Sequence, residues 1–324
     1  MKAIVISRPG GPEVLELREV EDPVAGEGEV LIKVVATALN RADVLQREGR
    51  YAPPPGNSLY LGLECSGIIE AVGPGVSKWK AGDKVCALLG GGGYAEKVNV
   101  PAGQVLPIPK GVSLRDAAGF PEVACTVWST IFMMVHLKKG ESVLLHGGGS
   151  GIGTFAIQIA KTKGVKVFIT AGSDEKVKEC IELGADGGIN YKTEDFVERV
   201  NALTDGKGVD VILDIVGGPY VNRNLEALGK DGRLFILGLQ GGPKGEINLG
   251  PIIAKRLTIT GAGLRVRTVE NKAQIVQEVL EHVWPEIEAG KVKVVIDKVY
   301  PLGKAVEAHR ALEGNHFGKI LLTP

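Results

Sequence analysis

The first third of the chain alternates short apolar runs with turn residues. Residues 2–7, 29–36, 63–72 and 84–89 are rich in Val, Ile and Leu, as strands are. Clusters of glycine and proline separate these runs and mark turns. The pattern predicts a β-rich, irregular domain with few helices up to about residue 119.

The pattern changes near residue 120, where strands begin to alternate with helices. Residues 142–146 form a compact apolar strand, and after a glycine run the apolar residues of 154–163 repeat at helical spacing. Further strands are expected at 165–170, 187–190, 209–216, 235–237 and 257–261, and further helices at 175–183 and from 194. This alternation predicts a parallel sheet with right-handed crossovers. A long helix (269–289), a strand (294–299), a helix (304–312) and a strand (319–322) are expected to close the chain.

A glycine-rich loop joins the strand at 142–146 to the following helix. A dinucleotide pyrophosphate binds at such a place, on backbone N–H groups at the positive end of a helix. The loop departs from G-x-G-x-x-G, since a frame starting at Gly148 places Ser150 in the second slot. The strand–loop–helix order nevertheless predicts a dinucleotide site, with a tight turn that binds nothing as the alternative. Its residues are Gly148, Ser150, Gly151, Ile152 and Gly153.

The choice between NADH and NADPH depends on the residues about 20 positions after the glycine loop, where an NAD site carries an acidic residue. Here Gly172 leaves room for a 2′-phosphate, and Ser173 with Lys176 can hold it. Asp174 argues for NADH unless it points to solvent. The sequence favours NADPH, with Tyr191 and Arg265 expected to close the same pocket.

Composition and charge narrow the range of partners. The chain has 38 Lys+Arg and 38 Asp+Glu, and this zero net charge argues against nucleic acid as the main partner. The four cysteines form no C-x-x-C pair, so neither a disulfide framework nor a zinc ribbon is expected. No signal peptide or membrane span is expected either, because the apolar runs are too short. We expect a cytoplasmic protein.

Short motifs along the whole chain resemble one family. They are Asn40-Arg41-Ala42-Asp43, Arg47-x-Gly49-x-Tyr51, Gly62-Leu63-Glu64-x-x-Gly67, Gly82-Asp83, Ala117-Ala118…Pro121-Glu122, the loop from His146 to Gly153, Ala171-Gly172-Ser173, Asn190-Tyr191 and Gly318-Lys319. With them the sequence resembles the zinc-free medium-chain dehydrogenase/reductase superfamily. It is especially similar to quinone oxidoreductases of the zeta-crystallin and tumour-suppressor-inducible type.

The resemblance implies an α/β fold of two domains. A GroES-like β-rich catalytic domain is expected over residues 1–121 and 263–324. A Rossmann domain with a doubly wound parallel sheet, binding NADPH, is expected over 122–262. The apolar segment 257–263 has the pattern of a sheet-edge strand, which needs a cover. Pairing with its two-fold copy would give a homodimer.

No metal is expected. Relatives with zinc place Cys and His ligands where this chain has Asn40 and Leu63, and their four-cysteine lobe is missing here. Without a Lewis acid, the substrate must already be a good hydride acceptor, such as a quinone or a conjugated enone.

The resemblance places Tyr51 and Asn40 beside the nicotinamide as catalytic residues. The Tyr51 phenol would donate to the developing quinolate oxygen, and the Asn40 amide would orient substrate or water. A loop aromatic at Tyr51 and a helix cap at Asn40 are the alternatives. Asp43 and Glu64 are expected to be structural charges, paired with Arg41, Arg47 or Lys84. Further cofactor contacts implied by the resemblance are Thr126, Val127, Val216, Gly238, Leu239, Leu264, Arg265 and His316, the last standing where Asn is expected.

These observations predict an NADPH-dependent quinone oxidoreductase that works without zinc. An NADPH-dependent 2-alkenal or enone double-bond reductase is the alternative, because it needs the same cofactor and the same zinc-free site. A non-catalytic, crystallin-like NADPH-binding protein is a third possibility, since fold does not fix function.

Overall fold

The computed structural model describes residues 1–324, and backbone contacts divide the chain into two compact units. Unit 1 comprises Met1–Cys125, Leu264–Gly290 and Val294–Pro324. Unit 2 comprises Thr126–Gly263 with the short segment Lys291–Lys293. Each unit has its own sheet and its own apolar core.

The chain forms fifteen strands and ten α-helices. The strands are β1 (Lys2–Ile6), β2 (Leu15–Glu19), β3 (Glu29–Ala38), β4 (Glu64–Val72), β5 (Lys84–Leu88), β6 (Lys97–Pro101), β7 (Val105–Pro107), β8 (Ser142–His146), β9 (Lys166–Ala171), β10 (Gly187–Asn190), β11 (Val209–Asp214), β12 (Leu228–Ile236), β13 (Thr258–Gly261), β14 (Ile296–Pro301) and β15 (Lys319–Thr323). The helices are α1 (Arg41–Arg47), α2 (Pro121–Val127), α3 (Gly151–Thr162), α4 (Asp174–Glu182), α5 (Phe196–Leu203), α6 (Val221–Ala227), α7 (Gly250–Lys255), α8 (Val269–His282), α9 (Trp284–Glu288) and α10 (Ala305–Glu313).

Unit 1 is β-rich. Its main sheet has the order β14-β15-β3-β4-β5-β7, with β6 also paired to β3, and β1 and β2 form a separate antiparallel ribbon. The pairs are antiparallel except β14 with β15. The long strand β3 pairs with β4, β6 and β15, and Val30, Ile32 and Val34 on it belong to the core. The predicted β-rich domain is therefore confirmed.

Unit 2 contains a six-stranded parallel sheet of order β10-β9-β8-β11-β12-β13. The strand order reverses between β8 and β11, and ligands of open α/β sheets bind at such a switch point, beyond the carboxyl ends of the strands. Leu144, Phe168, Ile212 and Leu234 from four neighbouring strands share one core cluster. The predicted doubly wound parallel sheet is confirmed.

Several elements differ from the sequence-based expectation. The helix predicted over 269–289 is interrupted at Val283, between α8 and α9, since Pro285 lies in the first turn of α9 and supplies no backbone N–H. Strand β2 (LELRE) is only five residues long and only its first residue is buried, so the alternation of Leu15 and Leu17 with polar residues is too short to predict a strand. Helix α1 is seven residues long, too short for a helical period to be visible.

One stretch, Asp116–Met134, is long and apolar enough to cross a membrane by length and composition alone. In the folded chain, 78% of its most apolar 18-residue part is buried inside the protein. A helix of a protein core has the same length, composition and burial, so the stretch is weak evidence for a membrane.

Candidate cofactor loop and acceptor pocket

The glycine loop of unit 2 leaves backbone donors open at the start of a helix. Ser150 is the N-cap of α3, and its Oγ accepts from the amide of Gly153 at 3.0 Å. The amides of Gly151 and Ile152 are the first two of the helix and have no intrahelical acceptor. They offer N–H groups to an anion at the positive end of the helix dipole.

The loop fits tightly against the sheet below it. The amide of Gly148 donates to the Thr170 carbonyl at 2.9 Å. A Cβ at Gly148 would lie 2.7 Å from the side chain of Ile169, and a Cβ at Gly153 would overlap the carbonyl of Gly147. Glycine is therefore required at both places, and the close packing keeps the loop low enough for a pyrophosphate to approach the backbone.

The residues expected to contact the cofactor ribose follow the end of the neighbouring strand β9. Ser173 is the N-cap of α4, and its Oγ accepts from the Lys176 amide at 3.3 Å. A Cβ at Gly172 would lie 2.8 Å from the Tyr191 hydroxyl and 3.6 Å from Cε of Lys192. Tyr191 thus stands beside Gly172, and Lys192 is a second cation that sequence reasoning missed. Only its position next to Tyr191 could have indicated it.

Asp174 was the one residue that argued for NADH. It is exposed, and its Oδ1 also accepts from Nδ2 of Asn190 at 2.7 Å. The carboxylate of Asp174 therefore does not point to solvent alone. One oxygen of this carboxylate is occupied by a nearly buried amide, which ties the start of α4 to the end of β10.

Asp214, at the carboxyl end of β11, is a second residue that sequence reasoning missed. Its two oxygens accept from the amides of Val216 at 2.7 Å and Gly217 at 3.1 Å. The Gly238 amide beyond β12 donates to the Asp214 carbonyl at 3.2 Å. Burial raises the pKa of Asp214 to about 6. The residue fixes the loops that carry Val216, Gly238 and the exposed Leu239.

The remaining expected cofactor residues are distributed between the two units. Thr126 and Val127 are buried in unit 2, and the Thr126 carbonyl accepts from the Thr130 hydroxyl at 2.7 Å. Leu264, Arg265 and His316 belong to unit 1. Their role as cofactor contacts stays a prediction.

In unit 1, Tyr51 lies against Arg265. The guanidinium carbon is 5.5 Å from the centre of the tyrosine ring, a cation–π distance. Burial raises the pKa of Tyr51, so its phenol stays protonated at neutral pH and can donate a hydrogen bond. Nε of Arg265 donates to the Gly90 carbonyl at 2.8 Å, which holds the guanidinium in place.

Asn40 belongs to a buried polar network. Its Nδ2 donates to Glu64 Oε1 at 3.0 Å, and its Oδ1 accepts from Lys319 Nζ at 2.8 Å. Lys319 also reaches Glu64 Oε1 at 2.6 Å, and the Glu122 amide donates to the other Glu64 oxygen at 2.9 Å. Both ends of the Asn40 amide are thus engaged. The structural role expected for Glu64 holds, but its partner is Lys319 and not Arg41, Arg47 or Lys84.

Asp43 is a wholly buried carboxylate. It accepts from the amides of Asn40 at 2.8 Å and Gly62 at 3.0 Å, and from the Tyr94 hydroxyl at 3.3 Å. Burial raises its pKa to about 6, against the effect of these donors. The expected pairing of Asp43 with Arg41, Arg47 or Lys84 is wrong. Arg47 instead binds Glu313, at 3.0 Å.

The donor set does not fit a zinc ion. No group of three or more His, Cys, Asp or Glu side chains is arranged to hold a metal. Leu63 lines a small cavity beside other leucines and offers no ligand atom, and Asn40 Oδ1 already accepts a hydrogen bond from the ammonium of Lys319. A cation thus already stands beside Asn40 and Glu64.

Comparison with known proteins places both units. Residues 26–110 match the family described as alcohol dehydrogenase GroES-like domain, and residues 151–298 match the family described as zinc-binding dehydrogenase. The quinone oxidoreductase of Rattus norvegicus is 35% identical over 326 residues, which cover 99% of this chain and 97% of the relative. The GroES-like assignment of the β-rich domain is confirmed, although the residues here do not fit the zinc that the second description names.

Solved structures give the same result. Escherichia coli quinone oxidoreductase complexed with NADPH has a TM-score of 0.89 at 32% identity, with 100% of both chains covered. An NAD-dependent alcohol dehydrogenase has a TM-score of 0.87 at 34% identity, also with 100% of both chains covered. A 2-haloacrylate reductase has a TM-score of 0.84 at 28% identity, covering 100% of this chain and 99% of that one.

Proposed function

We propose that this chain, which belongs to the quinone oxidoreductase family of the medium-chain dehydrogenase/reductase superfamily and is an oxidoreductase, transfers a hydride from NADPH to a quinone without a metal. The observation that carries the proposal is the protonated phenol of Tyr51, held against the guanidinium of Arg265. Residues 1–121 with 263–324 would be the catalytic domain, and 122–262 the NADPH-binding domain.

When bound, NADPH supplies the hydride. Tyr51 Oη donates a hydrogen bond to the acceptor oxygen that gains charge, and the Arg265 cation beside it favours that charge. Arg265 also lines a small cavity of unit 1, together with the apolar side chains of Leu63, Leu88 and Leu89. Asn40 acts through its place in the Glu64–Lys319 network, which fixes the start of α1.

NADPH is proposed over NADH because Lys192 lies beside Gly172, Lys176 lies in the first turn of α4, and the carboxylate of Asp174 accepts a hydrogen bond from Asn190. Ser173, Lys176, Tyr191 and Lys192 would hold the 2′-phosphate. The open amides of Gly151 and Ile152 would take the pyrophosphate. The NADPH complex of the Escherichia coli relative supports NADPH. Another similar structure is described as an NAD-dependent alcohol dehydrogenase, so both cofactors have to be tested.

A second candidate is a double-bond reductase acting on a 2-alkenal, an enone or a related conjugated acceptor. The similarity to a 2-haloacrylate reductase favours it. Reduction of a conjugated double bond also needs one hydrogen-bond donor at the oxygen that gains charge. Tyr51 fits that role equally well.

We also propose that the chain works as a cytoplasmic homodimer. Strand β13 ends the parallel sheet with one side unpaired, and the segment before it exposes Ile247, Leu249 and Ile253. Sedimentation across a tenfold dilution series tests this proposal. Replacing Ile253 with Asp should give monomers, whereas Val24→Asp should not, although both side chains are 81% exposed. A monomer at every concentration of the unaltered chain would end this proposal.

Cofactor oxidation tests the activity. NADPH and NADH loss is followed with 1,2-naphthoquinone and with a 2-alkenal, before and after treatment with a chelator. We expect quinone turnover that prefers NADPH and does not respond to the chelator. Turnover of the alkenal alone would favour the second candidate. NADPH binding without oxidation by any acceptor would contradict the catalytic role of Tyr51.

A further inference from the structure

A small cavity in unit 1 combines an apolar wall with charged groups. Leu63, Leu88 and Leu89 line one part of it, and Glu122, Arg265 and Lys272 bring charges to the rest. Arg265 is 5% exposed and Lys272 is 4% exposed, so both cations are taken out of bulk water. Such burial is costly for a charge unless a partner compensates it.

Arg265 has donors that no protein group satisfies. Of its five N–H groups, the one on Nε binds the Gly90 carbonyl at 2.8 Å. Both terminal nitrogens, Nη1 and Nη2, are buried and have no hydrogen-bond acceptor. The great majority of buried donors in proteins have an acceptor, and a functional ligand is one reason for an exception.

The charged groups around Arg265 are one further cation, Lys272, and the carboxylates of Glu122 and Asp43. Lys272, on α8, is close enough for its pKa to be lowered by Arg265 as well as by burial. Asp43 attracts Arg265 from a distance, but its oxygens accept from backbone amides and from Tyr94. Glu122 is the single carboxylate that lines the cavity, against two cations.

We propose that Arg265 and Lys272 form an anion subsite, which binds a carboxylate carried by the hydride acceptor. A planar guanidinium whose two terminal nitrogens lack acceptors matches a carboxylate in a bidentate manner. Because the guanidinium also lies 5.5 Å from the Tyr51 ring, a carboxylate there would leave the conjugated part of the acceptor next to the phenol.

This inference rests on the proposed reductase function and narrows its substrate class. The preferred acceptor is a conjugated carbonyl compound that bears an acid group. The oxyanion of the cofactor's 2′-phosphate is the other possible source of the same chemistry, so the test must separate cofactor from acceptor.

The test compares 9,10-phenanthrenequinone with its 2-carboxylate in the intact protein and in Arg265→Gln. We expect the variant to lower kcat/KM for the carboxylate at least about tenfold more than kcat/KM for the neutral quinone, which also falls because Arg265 favours the developing charge. Arg267→Gln is the matched control, because it removes an arginine from the same turn and should change neither ratio. Lys272→Met should lower kcat/KM for the carboxylate alone, by about fivefold, and replaces the first variant if that one does not fold.

Calorimetric binding of 2-naphthoate, which accepts no hydride, gives a readout that does not depend on turnover. We expect it to bind more tightly than 2-naphthamide, with the difference lost in Arg265→Gln. Equal losses for both quinones, or a raised KM confined to NADPH, would overturn the subsite. Turnover of neither quinone with carboxylate binding intact would overturn the proposed function and leave the subsite standing.

Discussion

The ammonium of Lys319 lies 2.6 Å from Oε1 of Glu64, with both side chains buried. The two residues are 255 positions apart, and their contact joins the start of β15 to the start of β4. The same ammonium binds the side-chain oxygen of Asn40. A protein cation therefore neutralises the buried carboxylate of Glu64.

Replacing Lys319 with Met should lower the free energy of unfolding by about 3–5 kcal/mol, because it leaves Glu64 buried and unpaired. The double variant Glu64→Gln/Lys319→Met should recover part of that loss. Arg256→Met, which breaks an exposed pair with Asp231, should cost less than about 1 kcal/mol. Urea denaturation measures all three variants. A loss for Lys319→Met as small as that for Arg256→Met would show that the buried pair does not stabilise unit 1.

Tyr51→Phe should reduce kcat with a neutral quinone about 100-fold and change KM little, because it removes a donor that acts on developing charge. The ring stays, so its contact with Arg265 is kept. Steady-state kinetics and a melting curve check the variant. An unchanged kcat in a folded variant would show that Tyr51 is a loop aromatic without a catalytic role.

The two lysines near Gly172 should determine the choice of cofactor. Lys176→Ala and Lys192→Ala should each raise KM for NADPH about tenfold and leave KM for NADH unchanged, since only NADPH carries the 2′-phosphate. Lys178→Ala is the control, because this lysine lies on α4 like Lys176 and its side chain is 79% exposed. If all three variants behave alike, the pocket is not where the phosphate binds.

His146 should make the fold sensitive to acid. Burial lowers its pKa to about 4, and the neutral ring lies between the Thr170 hydroxyl at 3.1 Å and the Asn224 amide oxygen at 2.8 Å. The unfolded chain takes up this proton near pH 6.5, so the stabilisation is complete above that pH. It is lost as the pH falls towards 4, by about 3 kcal/mol in total.

His146→Gln should therefore flatten the fall in unfolding free energy between pH 6.5 and pH 4, relative to the unaltered chain. Asp43 and Asp214, whose raised pKa values act in the opposite direction, are present in both proteins and cancel in the comparison. Parallel curves for the two proteins would contradict the assignment.

Local sequence alone determined the parallel sheet and the cofactor loop. Strands β8 and β10 begin and end at the predicted residues, and for β8 the reason is that a short buried strand leaves an apolar run within a few positions. The loop from Gly147 to Gly153 is equally local, since its glycines, its N-cap and its helix follow one another in the chain. Short helices such as α1 and short exposed strands such as β2 span too few residues for a period to be recognised, and they were missed.

Only the tertiary structure decided which charges meet. Glu64 and Asp43 were expected to pair with nearby basic residues, yet their partners are Lys319 for one and Tyr94 with backbone amides for the other. Arg265 stands beside Tyr51, and its Nε donates to the Gly90 carbonyl, 175 positions away in the chain. Contacts across such distances follow from how strands pair and loops return. They leave no periodic trace in the sequence, whereas a strand or a helix repeats its pattern every few residues.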